Sequence, residues 1–183
     1  MKKSLILTAA TTALLLTSCG ALEIKPSEYV ALLNKLPEVQ YKTATIEASF
    51  EETGERAKNF KYTFNFDEDN LEWVSTSTDD EAYFLVEYIR PASFDYAYYI
   101  ELGKPEGYKF YDDLSIVMNY KDSSNFKDGS HEDYEQTITT RFNANGYLTH
   151  YEDIRHTSSS GNANPKDNFD YDEKEIVNIS YVK

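Results

Sequence analysis

Apolar residues recur at every second position over much of the chain, and this pattern predicts a β-rich fold. Ile46, Ala48 and Phe50 alternate with Thr45, Glu47 and Ser49, and Phe60, Tyr62, Phe64 and Phe66 alternate with Lys61, Thr63 and Asn65. Asp67-Glu68-Asp69-Asn70 reads as a turn, after which Leu71 and Trp73 resume the alternation, so residues 58–77 are expected to form a hairpin. Further strands are expected at 81–89, at 94–101 with Phe94, Tyr96, Tyr98 and Ile100 on one face, at 134–142, at 147–157 and at 175–182. Residues 111–120 fit either a strand or a helix, because Leu114, Val117 and Met118 also share a helical face. Asn145-Gly146 is the clearest hairpin signal. Its register stays open: Phe142, Ile138 and Tyr134 share a face either with Tyr147 and Tyr151 or with Leu148 and Ile154, and one residue more or less in the loop exchanges the two sets. Residues 121–133 and 158–173 are polar and read as exposed loops.

One segment changes period. Tyr29, Val30, Leu33 and Leu36 form a helical stripe after Ser27, which suits an N-cap, with Glu28 in the first turn and Pro37 as the stop. This short helix is expected to act as a lid or plug for the sheet. The fold class is therefore α+β, mainly β: an antiparallel meander or half-open β-barrel with one N-terminal helix and a possible second short one at 111–120. No internal repeat, linker or coiled coil is visible, so residues 26–183 read as one domain.

The head of the chain follows neither period. Lys2 and Lys3 precede an apolar and small-residue run at 4–16, and nothing charged intervenes before Glu23. The run is shorter than the roughly 20 residues that span a bilayer, and it reads as an export signal outside the fold. The only cysteine of the 183 residues follows it. Leu16-Thr17-Ser18-Cys19 resembles the lipobox of bacterial lipoproteins. That resemblance implies diacylglyceryl transfer to the Cys19 thiol, cleavage before Cys19, and often acylation of the new amine. It divides the chain into a signal peptide at 1–18, a lipidated cysteine and short tether at 19–25, and the domain at 26–183. It also implies an extracytoplasmic face of the bacterial cell envelope, with the membrane as partner through acyl chains such as palmitate. Each buried methylene contributes roughly 0.8 kcal/mol, so two or three chains anchor firmly.

Charge narrows the classes of function. The whole chain carries a formal −14; without residues 1–18 it loses two lysines and no acid, which leaves −16. A surface so acidic repels phosphate backbones and anionic headgroups, which argues against nucleic acid as a partner. With no second cysteine there is no internal disulfide, so packing must supply the stability. All 16 Tyr, 10 Phe and the single Trp follow residue 18. They suit strands, and equally an aromatic-lined pocket or a stacking surface.

Catalytic chemistry is not evident. GxSxG, P-loop, GxGxxG, CxxC and HExxH patterns are absent, so no catalytic residue, metal or cofactor is predicted. His131 falls in a predicted loop. His150 and His156 share a predicted strand face but stand roughly 20 Å apart, too far to ligate one metal. His150 with Glu152, and Arg141 or Thr139 across the strand pair, is a two-ligand start at best. The acidic runs at 67–70 and 167–173 lack the Gly and Glu spacing of an EF-hand loop.

The order of export signal, lipobox, short helix, long antiparallel run, the hairpin RFNANGYLTHYEDI and the terminal strand EIVNISYV resembles the LolA/LolB and LppX/LprG group of half-barrel lipid and lipoprotein carriers over residues 26–183. The resemblance implies a half-open barrel closed by short helices over an apolar cavity for acyl chains. Those carriers pack several helices into the barrel, whereas only one is clear here. Tyr62, Phe64, Trp73 and Tyr98 are the aromatics expected to line such a cavity or the core beneath it. The expected function is a membrane-anchored lipoprotein that binds a lipid or other apolar ligand between sheet and helix. The alternative is a surface module for protein or glycan, with a filled core and an exposed aromatic patch.

Overall fold

The computed structural model of the protein describes residues 20–101, 107–161, 166 and 168–183. The expected signal and Cys19 lie outside the described residues. The strands are β1 (Glu23–Ile24), β2 (Thr43–Glu52), β3 (Lys58–Asp67), β4 (Glu72–Ser75), β5 (Tyr108–Tyr111), β6 (Ile116–Asn125), β7 (His131–Phe142), β8 (Leu148–Ser160) and β9 (Phe169–Val182). The helices are α1 (Pro26–Leu33), α2 (Asp80–Leu85), continued by a 3-10 turn at Val86–Tyr88, and α3 (Ala92–Glu101). The strands form one antiparallel sheet in the order β1-β5-β6-β7-β8-β9-β2-β3-β4. Two meanders, β5 to β9 and β2 to β4, join where β9 pairs with β2. The α+β, mainly β class expected from the periodicity is what the chain adopts. All of these elements lie between Glu23 and Val182, so a chain starting at Gly20 carries every one of them.

The hairpin at 58–77 forms as expected. Asp67 accepts from the backbone N–H of Asp69 and Asn70 at 2.9 and 3.2 Å and from Asn70 Nδ2 at 3.0 Å, an Asx turn whose donors, the Asn70 amide foremost, hold the Asp67 carboxyl below its usual range. Several other expectations need correction. Residues 81–89 and 94–101 are not strands. Ala82, Leu85 and Ile89 are buried at helical spacing, and in α3 Ala92 and Asp95 are buried with Tyr96 half-buried. An aromatic every second residue is also compatible with a helix when only some of them pack, as Tyr96 does while Phe94 and Tyr98 stay exposed, and α3 makes its own backbone bonds without a sheet edge. Among the described residues there are thus three short α-helices, against the one, with a possible second at 111–120, expected from the sequence. Residues 111–120 hold no helix but the end of β5, a tight turn and the start of β6.

The presumed loops 121–133 and 158–173 shrink, because β6, β7, β8 and β9 run on through their polar ends. The helix start moves too: Lys25 is the N-cap, Pro26 takes the first turn, and Glu28 accepts from the Lys25 N–H at 2.8 Å. Ser27 lies inside the helix. The stretch read as a tether joins the sheet at its end, where Glu23 and Ile24 pair with Tyr111 and Phe110.

The open register at Asn145-Gly146 resolves into neither alternative alone. Phe142 pairs with Leu148, but Arg141 pairs with His150 and Thr140 with Tyr151, so Thr149 is an extra residue in β8. This bulge sends both Leu148 and Tyr151 to the core face.

The core lies between the helices and one face of the sheet, here the inner face. Tyr29 of α1 donates its hydroxyl to Leu114 O at 2.8 Å and packs on Phe110 and Tyr96, with ring centroids 4.9 and 5.6 Å away. Ala44, Ile46, Phe64, Ile116, Leu148, Val177 and Ile179 complete it. The buried apolar side chains of the strands are confined to one half of the sheet. A 14-residue strand such as β9 extends roughly 45 Å. Helices of 8, 6 and 10 residues reach roughly 12, 9 and 15 Å, too little to cover it. The far half of the inner face therefore stays open.

Candidate functional site

In the open half the inner face turns polar. Cross-strand pairing puts Gln136, Arg155 and Glu173 in one row and Ile138, Asp153 and Glu175 in the next, towards the core. Asp153 is 1% exposed and is the hub of this cluster. It accepts from Gln136 Nε2 at 2.9 and 3.0 Å, from Arg155 Nε and Nη2 at 3.0 and 2.5 Å, and from the Tyr151 hydroxyl at 3.3 Å. A buried carboxylate demands such partners. Arg155 also reaches Glu173 at 3.7 Å, and Tyr171 donates to Glu173 at 3.1 Å.

The helical layer joins the cluster through its polar underside. The Tyr88 hydroxyl donates to Glu175 Oε1, and the Tyr88 ring meets the Tyr151 ring at 5.1 Å. Burial pushes the Glu175 carboxyl above its usual range and Asp153 adds to this, against the Tyr88 bond and the pull of Arg155 and Arg90. Burial, then the bond to Glu175, likewise raises the Tyr88 phenol. Arg90 lies over the rings of Tyr88, Tyr151 and Phe94 at 5.3, 5.8 and 6.0 Å and donates from Nε to Asp95 Oδ1 at 2.5 Å. Asp95, on the buried side of α3, leaves Oδ2 without a hydrogen bond, and burial raises its carboxyl despite Arg90.

Between α2 and this polar floor runs a groove of about 470 Å³. Its apolar walls are Phe50 and Phe60 of the sheet and Phe84 and Leu85 of α2; its floor is Asp153, Arg155, Glu173 and Glu175; Glu52, Arg56 and Glu81 stand at its rim. It is a volume suited to a small molecule or a chain segment, lined by both apolar surface and charge. The chain matches no protein-family model, no curated protein and no solved structure.

Of the four aromatics expected in a cavity or in the core beneath it, three belong to the core region. Phe64 is fully buried in the core. Tyr62 and Trp73 are partly buried against it, Tyr62 donating to Asp79 at 3.3 Å and Trp73 packing on Phe66 at 5.3 Å. Tyr98 is not in a cavity: it lies on α3, 53% exposed. None of the four lines the groove. His150 and Glu152, a two-ligand start at best from the sequence, bond to different partners. His150 bonds Asn178 at 2.8 Å and Glu152 bonds Lys174 at 3.0 Å, and among the described residues no group of three His, Cys, Asp or Glu can hold a metal. Also among the described residues, no helix is long and apolar enough to cross a membrane.

The sequence marks Phe50 and Phe60 only as strand residues and Glu173 only as part of an acidic loop, and it does not single out Asp153, Arg155 and Glu175. One signal was present: Tyr151, Asp153 and Arg155 sit at alternate positions, which puts two charges on the same strand face as a core aromatic. A charge on a core face marks either a functional cluster or an uncovered end.

Proposed function

We propose that the protein is a membrane-anchored extracytoplasmic lipoprotein, held by acyl chains on Cys19, that binds an amphipathic ligand in the groove between α2 and the open half of the sheet. The observation that carries the ligand reading is the composition of that groove, with phenylalanine and leucine walls over a charged floor of Asp153, Arg155, Glu173 and Glu175. A wholly apolar lipid cavity is not what lies beneath the helices, since Tyr29, Tyr96, Phe110 and Phe64 fill that space. The anchor rests on the lipobox-like Leu16-Thr17-Ser18-Cys19.

Two measurements test this. Native mass spectrometry of the chain from Gly20 onward, purified from a bacterial host and followed by organic extraction, should show a bound amphiphile that is lost in Phe84→Asp. Palmitate labelling of the full chain in a bacterial host should be lost in Cys19→Ala. A clean apo mass that takes up no added amphiphile removes the ligand reading.

One observation favours a second reading, a docking module for protein or glycan. Helices α2 and α3 present Tyr83, Phe84, Phe94 and Tyr98 at 80, 69, 57 and 53% exposure. Retained pull-down of a surface partner by Phe84→Asp, with loss in a Tyr83→Asp/Phe94→Asp/Tyr98→Asp variant, would favour it.

A further inference from the structure

We infer that the groove selects a cation, namely an amine or quaternary ammonium carrying an apolar tail. This rests on the reading of the groove as the ligand site and adds the charge of the ligand. Eleven charged side chains line the groove, seven acidic and four basic. The bases are mostly engaged. Arg155 is held by Asp153 through two nitrogens, Lys58 lies 3.7 Å from Glu55, and Lys174 bonds Glu152 at 3.0 Å on the opposite face of the sheet. Arg56 is the fourth base among seven acids, so a carboxylate or phosphate headgroup meets a net negative field, with Arg155 already bonded to Asp153 through Nε and Nη2.

A cation meets the reverse. Glu175 is half-buried and bonded to a phenol, not to a base. Glu173 shares Arg155 with Asp153 at the longer distance of 3.7 Å. An ammonium placed between them is paired at once, and Phe60 and Phe84, which line the same groove, supply apolar surface for the tail. The charged and titratable groups facing Glu175 are Tyr88 and Arg90 of the helical layer and Asp153 and Arg155 of β8; a cation bound here is attracted by the carboxylates of Glu175 and Asp153 and repelled by the two guanidiniums.

The test is calorimetric titration of the chain from Gly20 onward with octyltrimethylammonium, octylamine, octanoate and octyl glucoside, each below its micelle concentration. The two cations are expected to bind and the other two not, with affinity falling as salt rises. Glu173→Gln/Glu175→Gln should weaken the cations at least about threefold, as loss of partly exposed ion pairs does. Phe84→Ala, at a site 69% exposed and therefore tolerant of change, should shorten the dependence on tail length. Binding of octanoate or octyl glucoside as tight as that of the cations, lost in Phe84→Ala, overturns the inference and leaves the groove as an amphiphile site. Binding of none of the four overturns both.

Discussion

At the scale of single residues, similar side chains have opposite fates. Phe64 and Tyr98 are both aromatics of the alternating pattern, yet one is fully buried and the other 53% exposed. Phe64→Ala should cost about 3 to 4 kcal/mol in urea unfolding, from lost transfer energy and the cavity left behind; Tyr98→Ala should stay within about 0.5 kcal/mol. The Arg90–Asp95 pair, 17% and 2% exposed, ties α3 to the turn before it, whose Arg90 lies over the Tyr151 ring of β8. Asp95→Ala strands the guanidinium and should lose roughly 3 kcal/mol, while Arg90→Ala/Asp95→Ala should lose less than the two single changes combined. Glu175 is one of the groups that make stability depend on pH. Its carboxyl is raised above the ordinary 4.5, so the folded chain holds that proton more tightly than the unfolded one. The stability so gained is complete below 4.5 and lost as pH rises through the higher folded value. Glu175→Gln keeps an acceptor for Tyr88 without the charge. It should melt higher than the parent at neutral pH, with the gap closing towards pH 4.5 in thermal melts.

At the scale of elements, turn chemistry and strand periodicity were legible, and helices built from aromatics were not. The β7–β8 connection shows why turn signals are strong. Asn143 accepts from the N–H of Asn145 and Tyr147 at 3.0 and 3.1 Å, and Gly146 sits at φ +78°. A Cβ at Gly146 would also stand 2.4 Å from Leu36 Cδ1. Gly146→Ala should therefore cost about 1 to 2 kcal/mol, read by urea titration, through left-handed strain plus displacement of Leu36. The bulge at Thr149 was beyond local reading, because it depends on what the core accepts from both Leu148 and Tyr151. For α2 the helical signal existed in Ala82, Leu85, Val86 and Ile89, with Asp80 and Glu81 in the first turn, but Tyr83 and Phe84 made the segment look like a strand. Only their exposure shows that they do not belong to the packed face.

At the scale of the whole molecule, long strands are covered by short helices at one end, and the uncovered end carries the groove. Amide exchange should follow this division: slow at Ala44–Ala48 and Val177–Ile179, under the helices, and faster at residues 131–134 and 157–160, where strand pairing continues without a buried apolar layer. Uniform protection along β7 and β8 would contradict it. The sequence by itself determined the strand-rich class, the hairpin turns and the first helix, because side-chain alternation and turn residues act within a few positions of the chain. The lipobox-like head was equally local, being a run of adjacent residues. Tertiary structure alone decided that β9 joins β2, that α2 and α3 are helices, and that Asp153, Arg155, Glu173 and Glu175 face a groove. Each of these depends on partners far along the chain: which edge remains free, which apolar face finds a cover, and where that cover ends.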